Sequence, residues 1–348
     1  MIDVSRQNIA GKHGNFCNNA LFFWSMNVDD GKARRFLLKD KGERIKEKVG
    51  RKKRFIFLLL ALLAACGGVK NDSATSSSVS QVPMRVVTDD LGRTVTVPVK
   101  ITRAVSLAPS LTENIFAVGA GDRLVGVTTF CNYPEAAKSI AKIGDTMNPN
   151  MESIVALKPD VVFVSTASQI EAFTKTLEAN GIAVYVTNPK DLEGLFENLT
   201  NLGRLFGTES AADILVTQLR DRSNKCFIPV RAPQRVFVQI SKEPLFTIGR
   251  GAFVTELVKT AGGISVTADV ESAYPKISKE TASALDPEVI ILSESDDNKE
   301  PNEVFNNSPA VKKGRVFKIN ADLLSRPGPR LVDALDQIAK DLHPEKFK

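Results

Sequence analysis

From Arg85 onward the chain alternates short apolar runs with longer stretches whose apolar residues recur every three or four positions. The first pattern predicts strands and the second predicts helices. RVVTDDLGRTVTVP (85–98) reads as a hairpin around Asp89-Asp90-Leu91-Gly92. AVSLA (104–108) is a strand, and Ser110-Leu-Thr-Glu113 then gives a capping-box pattern opening a helix that stops at Gly119. LVGVT (124–128) is a strand, SQIEAFTKTLEANG a helix closed by Gly181, IAVYVT (182–187) a strand, and DLEGLFENLTNLGRLFG a further helix. A second series follows: strand RVFVQI (235–240), helix AFVTELVKTAGG, strands EVIIL (288–292) and RVFKI (315–319), and a closing helix PGPRLVDALDQIAKDLH. Strands alternating with helices imply parallel pairing, hence two α/β lobes. Between them TESAADILVTQLRDRSNKC carries apolar residues at Ala211, Ile214, Leu215 and Leu219, a helical spacing. About twenty helical residues would span roughly 30 Å, enough to join two lobes.

One phrase is written twice. ESIVALKPDVVFV begins at Glu152 and ETASALDPEVIIL at Glu280, each with Leu sixth, Pro eighth, an acid ninth and then a β-branched apolar run. If Asn150 and Ser278 are N-caps, both glutamates fall at the second helical position. An acid there opposes the positive end of the helix dipole, for about 0.3–1 kcal/mol. Gly119-Ala-Gly121 follows a helix, whereas a phosphate loop follows a strand and opens one, so these glycines read as a helix stop and turn.

The amino-terminal segment has another grammar. Arg51 to Arg54 are basic, Phe55 to Ala65 are apolar, and Cys66 follows. Eleven residues rise about 16 Å as a helix, too short for the hydrocarbon core of a bilayer. Basic, apolar, then small residues is the order of a secretory signal. Leu63-Ala64-Ala65-Cys66 resembles the lipobox of bacterial lipoproteins, which makes Cys66 the lipidation site, and GGVKNDSATSSSVSQVP continues as a flexible tether. Residues 1–50 are a longer polar preface than signal peptides carry, and translation is expected to start later, near Met26 or Val49. The expected organisation is a leader at 1–65 (signal core 51–65), a tether at 66–83, an N-terminal lobe at 84–206, a linker helix at 207–228 and a C-terminal lobe at 229–348.

Charge and composition narrow the chemistry. The chain of 348 residues holds 46 Lys+Arg and 40 Asp+Glu, but residues 1–54 account for 14 and 6 of them, leaving 32 and 34. The basic surplus belongs to the leader, so no nucleic-acid partner is expected. Of two histidines, His13 lies in the leader and His343 near the end, which leaves no Ser–His–Asp triad or His-rich metal site. Cys131 and Cys226 remain after Cys17 and Cys66 are set aside, and whether they pair is open at this level.

VSLAPSLTENIFAVGAGDRLVGVTTFCNYP, NPNMESIVALKPDVVFV and the phrase at Glu280 together resemble the solute-binding proteins for cobalamin, haem and ferric siderophores, nearest to the cobalamin-binding component of an ABC importer. The likeness runs from about Arg85 to His343. It implies two Rossmann-like α/β lobes joined by a single long helix (the class III periplasmic-binding-protein fold), with a ligand cleft between lobes and modest closure. It implies a non-enzymatic, monomeric, exported and lipid-anchored protein on the periplasmic or cell-surface side. Its partners are then a permease dimer with its ATPase subunits and a metal-chelate ligand such as cobalamin, with no cofactor or metal site of its own. By the resemblance Tyr133, Phe246, Tyr274, Asp322 and Arg326 face the ligand, while Glu152 and Glu280 dock against arginines of the permease. Aromatic faces suit a flat macrocycle, and a few polar groups suit its amide rim. Thr146 stands where some cobalamin binders place Trp, and Cys131 beside Tyr133 reads as a buried thiol.

Two other readings stand beside this one. Ferric siderophore or haem is an alternative cargo: Arg326, Arg330 and Arg250 could serve an anionic siderophore, and Tyr133 or Tyr274 could ligate haem iron. An α/β enzyme acting on a small molecule is the third, and it lacks a recognisable nucleophile or acid–base motif.

Overall fold

The computed structural model describes residues 82–348 apart from 167–169. Cys66, the signal segment and the start positions proposed at Met26 and Val49 lie outside them. No helix among the described residues is long and apolar enough to cross a membrane.

The first lobe opens with an antiparallel hairpin, β1 (Met84–Thr88) and β2 (Thr94–Pro98), in register from Met84 opposite Pro98 to Thr88 opposite Thr94. Then come β3 (Ala104–Ser106), α1 (Pro109–Ala117), β4 (Leu124–Val127), α2 (Met151–Ala156), β5 (Val161–Ser165), α3 (Ile170–Ala179), β6 (Ala183–Thr187) and α4 (Leu192–Phe206). The last four strands form a parallel sheet in the order β4-β3-β5-β6. Strands of a parallel sheet are covered on both faces, so they read as unbroken apolar runs; Val161 to Val164 are all fully buried. Helix α4 lays Leu195, Leu199, Leu202 and Phe206 on the sheet, where Phe206 and Tyr185 flank Phe163 at 5.4 and 5.6 Å between ring centroids.

One expectation needs correcting here. Helix α1 starts at Pro109, its N-cap is Ala108, and no side chain caps it; Ser110 lies inside the helix. Proline with its fixed φ suits the first helical position, so no capping box forms, and Glu113 is turned to another task. The linker helix α5 (Glu209–Lys225) lies within the expected span and buries Ala212, Val216 and Leu219. Of the apolar residues at helical spacing, Leu219 is thus buried and Leu215 half-buried, while Ala211 and Ile214 are exposed. This facing follows from α4: a Cβ on Gly203 would lie 2.5 Å from that of Ala212, so the helices meet closely at this pair.

The second lobe consists of β7 (Gln234–Ser241), β8 (Phe246–Thr247), α6 (Phe253–Thr260), β9 (Gly263–Ser265), α7 (Lys279–Ser283), β10 (Val289–Glu294), α8 (Pro309–Lys312), β11 (Val316–Asn320), α9 (Ala321–Ser325) and α10 (Leu331–Leu342). Its sheet runs β11-β10-β7-β8 with β9 paired to β7, and only β8 is antiparallel. Helix α10 buries Leu331, Leu335, Ile338 and Leu342 on one stripe. The two lobes and α5 thus match the two-lobed α/β reading. Cys131 and Cys226 are both free and buried, so no disulfide joins them.

Candidate ligand cleft

In parallel α/β sheets ligands bind beyond the carboxyl ends of the strands. Here β3 runs into α1, β4 into the loop 128–134, and β11 into α9, and these three connections meet. The meeting point is Glu113. Its side chain is 2% exposed, and it accepts bonds from Arg326 Nη1 (2.8 Å), Arg330 Nε (2.8 Å) and Arg330 Nη2 (2.6 Å). Arg326 also donates to Asn132 Oδ1 at 2.8 Å and pairs with Asp322 at 2.8 Å. Asn114 Nδ2 donates to the Pro327 carbonyl at 3.3 Å. Helix α1 and the Asn132 loop belong to the first lobe and residues 322–330 to the second, so this network spans the two.

Of the residues expected at the ligand, Tyr133, Asp322 and Arg326 are brought together here. The Arg330 guanidinium lies 4.0 Å from the centroid of the Tyr133 ring, a cation–π distance, and Tyr133 is 46% exposed. Asp322 is reached by Asn132 Nδ2 at 3.4 Å as well as by Arg326. Phe246 and Tyr274 form a second group. The Phe246–Gly249 segment pairs with 273–276: Phe246 bridges Lys276, Thr247 N donates to Pro275 O at 3.1 Å, and Gly249 N donates to Ala273 O at 2.9 Å. Both aromatics sit half-buried on the margin of the core. Burial pushes the Tyr274 hydroxyl up to about 12.

The residues that sequence reasoning missed are Glu113 and Asn132, and Arg330 entered only as one of three possible anion partners. Glu113 carried a signal, an acid within an apolar helix, but it read as a helix cap because its partners lie 213 and 217 positions away. Cys131 is 1% exposed, with Thr112 and Thr128 hydroxyls each 3.1 Å from its sulfur, so it anchors the loop behind Tyr133. Asn150 and Ser278 are N-caps, accepting from Ser153 N at 2.9 Å and Thr281 N at 3.1 Å, which puts exposed Glu152 and Glu280 at the second helical position as expected.

Residues 105–323 match the model of the family described as periplasmic binding protein. The chain belongs to that family. An uncharacterized ABC transporter substrate-binding lipoprotein of Bacillus subtilis (strain 168) is 30% identical over 306 residues, covering 84% of this chain and 96% of that one. A vitamin B12-binding protein of Vibrio cholerae is 30% identical over 252 residues, covering 69% and 89%. Among solved structures, the periplasmic vitamin B12 binding protein of Vibrio cholerae superposes with a TM-score of 0.62 at 28% identity, covering 72% of this chain and all (100%) of that one. A periplasmic heme binding protein from Pseudomonas aeruginosa gives 0.62 at 26%, covering 70% and 93%. The two-lobed periplasmic-binding-protein fold expected from the sequence is therefore present, and the cleft network occupies the carboxyl ends of its strands.

Proposed function

We propose that the chain is the substrate-binding component of an ABC importer and that its cargo is a corrinoid, handed on to a permease with its ATPase subunits. The substrate-binding role follows from the family, whose members bind solutes; no turnover is assigned. The cargo rests on one observation, the charge balance of the cleft. Arg326 and Arg330, the two guanidiniums that could hold an anionic chelate, are committed to Glu113 and Asp322, two cations to two carboxylates. Arg250, the third candidate, is paired with Glu271. A highly anionic siderophore would have to dislodge a buried acid, at a cost of several kcal/mol. A ligand whose rim is mostly neutral amide finds instead a balanced set of donors and acceptors beside the Tyr133 ring.

Haem fits less well. His343, the only histidine among the described residues, is buried beside Gly262 and Ile228, which leaves haem iron only a tyrosine to bind. The names of the vitamin B12-binding relatives support the same choice. The lipid anchor at Cys66, the exported location and a monomeric state complete the proposal, together with docking of Glu152 and Glu280 to arginines on the permease.

The test uses the protein from Gly67 onward, mixed with cyanocobalamin, with haemin and with a ferric siderophore, desalted and read by visible absorbance. Stoichiometric retention of the corrin spectrum alone is expected. Retention of haemin or the ferric chelate in its place would overturn the corrinoid assignment while leaving the importer role intact.

A further inference from the structure

The two glutamate-bearing tips are held by the same bracket. In the first lobe Arg103, immediately before β3, donates through Nη2 and Nε to the Leu157 carbonyl at 2.6 and 3.0 Å, and through Nε to that of Lys158 at 3.2 Å. In the second lobe Arg235, in β7, donates through Nη2 to the Leu285 carbonyl at 2.6 Å. Leu157 and Leu285 hold the same place in the twice-written phrase. The acids that follow match as well. Asp160 N donates to Arg103 O at 2.8 Å and Asp160 Oδ2 accepts from Arg103 N at 2.9 Å. Glu288 N donates to Arg235 O at 2.9 Å and Glu288 Oε2 accepts from Arg235 N at 2.9 Å.

Between these contacts each lobe makes the same costly turn. Lys158 and Asp286, with φ of 46° and 44°, are the non-glycine residues with positive φ among the described residues, and each directly precedes a proline. Left-handed backbone is unfavourable at a side-chain-bearing residue, more so at lysine than at aspartate. Writing it twice at one position means that the reversal is needed to aim what precedes it. What precedes it is a helix of six residues in one lobe and five in the other, fixed by a side-chain cap at its start and by an arginine on carbonyls of the turn just past its end.

We infer that Arg103 and Arg235 are positioning residues for the importer-facing surfaces, setting the direction in which Glu152 and Glu280 are presented. The inference rests on the reading that these glutamates dock. Both arginines are exposed, and neither forms an ion pair among the described residues, so their bonds are to backbone carbonyls alone. The planar guanidinium of Arg103 spans two successive carbonyls, Leu157 and Lys158, in a way that a lysine ammonium does not, while Arg235 holds the single carbonyl of Leu285.

Two arms test it, both on the chain from Gly67 onward. In the first, spin labels at E152C and E280C report the tip-to-tip distance distribution, since the native thiols are buried. R103A/R235A is expected to broaden that distribution about twofold through local opening, and R103K/R235K to recover part of it. In the second arm, unlabelled protein is immobilised and its retention of importer membrane subunits, solubilised from the producing cells, is measured. E152A/E280A and R103A/R235A should each lower retention by about tenfold or more, with melting temperature and cyanocobalamin retention unchanged. An unbroadened distribution in R103A/R235A overturns the positioning role. Loss of retention in the arginine variant without loss in E152A/E280A, or no retention by the native protein, overturns the docking reading and leaves the first arm to decide the rest.

Discussion

Replacing Glu113 by Gln keeps the shape of the cleft and removes one charge. Oε1 of Glu113 accepts from both arginines, at 2.8 Å from Arg326 and 2.6 Å from Arg330, and Oε2 accepts from Arg330 Nε at 2.8 Å. A glutamine can present its carbonyl to the first pair, but its amide NH2 then faces Arg330 Nε, donor against donor. Breaking a buried ion pair from one side costs about 3–5 kcal/mol, because the surviving charge is left without compensation. Here the survivors are not abandoned: Arg326 is 11% exposed and keeps Asp322, while Arg330 is 20% exposed and keeps the Tyr133 ring. We therefore expect E113Q to lose about 2–3 kcal/mol, at or just below the bottom of that range. For a folded chain of about 280 residues that lowers the melting temperature by about 3–5 °C. Thermal unfolding followed by circular dichroism measures it, and a cycle through R330A and E113Q/R330A isolates the pair, with a coupling of about 1–3 kcal/mol expected. A melting temperature within about 2 °C of the native protein, or single effects that simply add, would show that the network is an incidental surface contact.

Three further outcomes follow from other parts of the molecule. Burial pushes the Asp341 carboxyl up to about 6, against the pull of Arg315, so the folded state binds this proton more tightly than the unfolded chain. Its penalty is absent below the unfolded value near 4, grows as pH rises and is complete above about 6; D341N should raise the melting temperature at pH 7–8 and not at pH 3.5, and an equal gain at both would refute the assignment. Cys131 and Cys226 should resist iodoacetamide in the native protein from Gly67 onward, with Cys226 held protonated by a value pushed up to about 11, and both should react once urea is added; fewer than two thiols after unfolding without reductant would contradict the free state. In G249A the new Cβ would stand 2.2 Å from Ser272 O and 2.7 Å from Val270 O, so we expect a loss of about 1–3 kcal/mol and faster hydrogen exchange through 270–275; unchanged exchange there would mean that the Tyr274 loop is not set by this contact.

Most strands and helices were legible because each alone satisfies a local rule. The run Val161–Val164 must be covered on both faces, and the stripe through Leu331, Leu335 and Ile338 must meet a sheet. Glycine stops at Gly119, Gly181 and Gly207 do adopt positive φ. The twice-written phrase gave both N-caps and the places of Glu152 and Glu280 without any tertiary knowledge. What local rules could not give is anything decided across the two lobes. Glu113 satisfied the spacing of a capping box, yet the helix begins at Pro109 and the carboxylate goes to arginines more than two hundred positions on. The buried face of α5 was open for the same reason: Ala211, Ile214 and Leu215 are as helical in spacing as Ala212, Val216 and Leu219, and the close approach at Gly203 chooses between them. Tyr133, Asp322 and Arg326 came from the family resemblance; the acid that ties Arg326 to Arg330 did not.

The matched brackets at Leu157 and Leu285 have a bearing on encounter statistics. The sheets behind them differ, four parallel strands in one lobe and five strands in the other, so the lobes are distinguishable as bodies but similar in the tips they offer. A partner with twofold symmetry would find nearly the same foothold whichever way round the protein arrived. A collision that seats either tip then leaves the other beside an equivalent site, so the second contact forms at the effective concentration set by the first rather than by a new encounter.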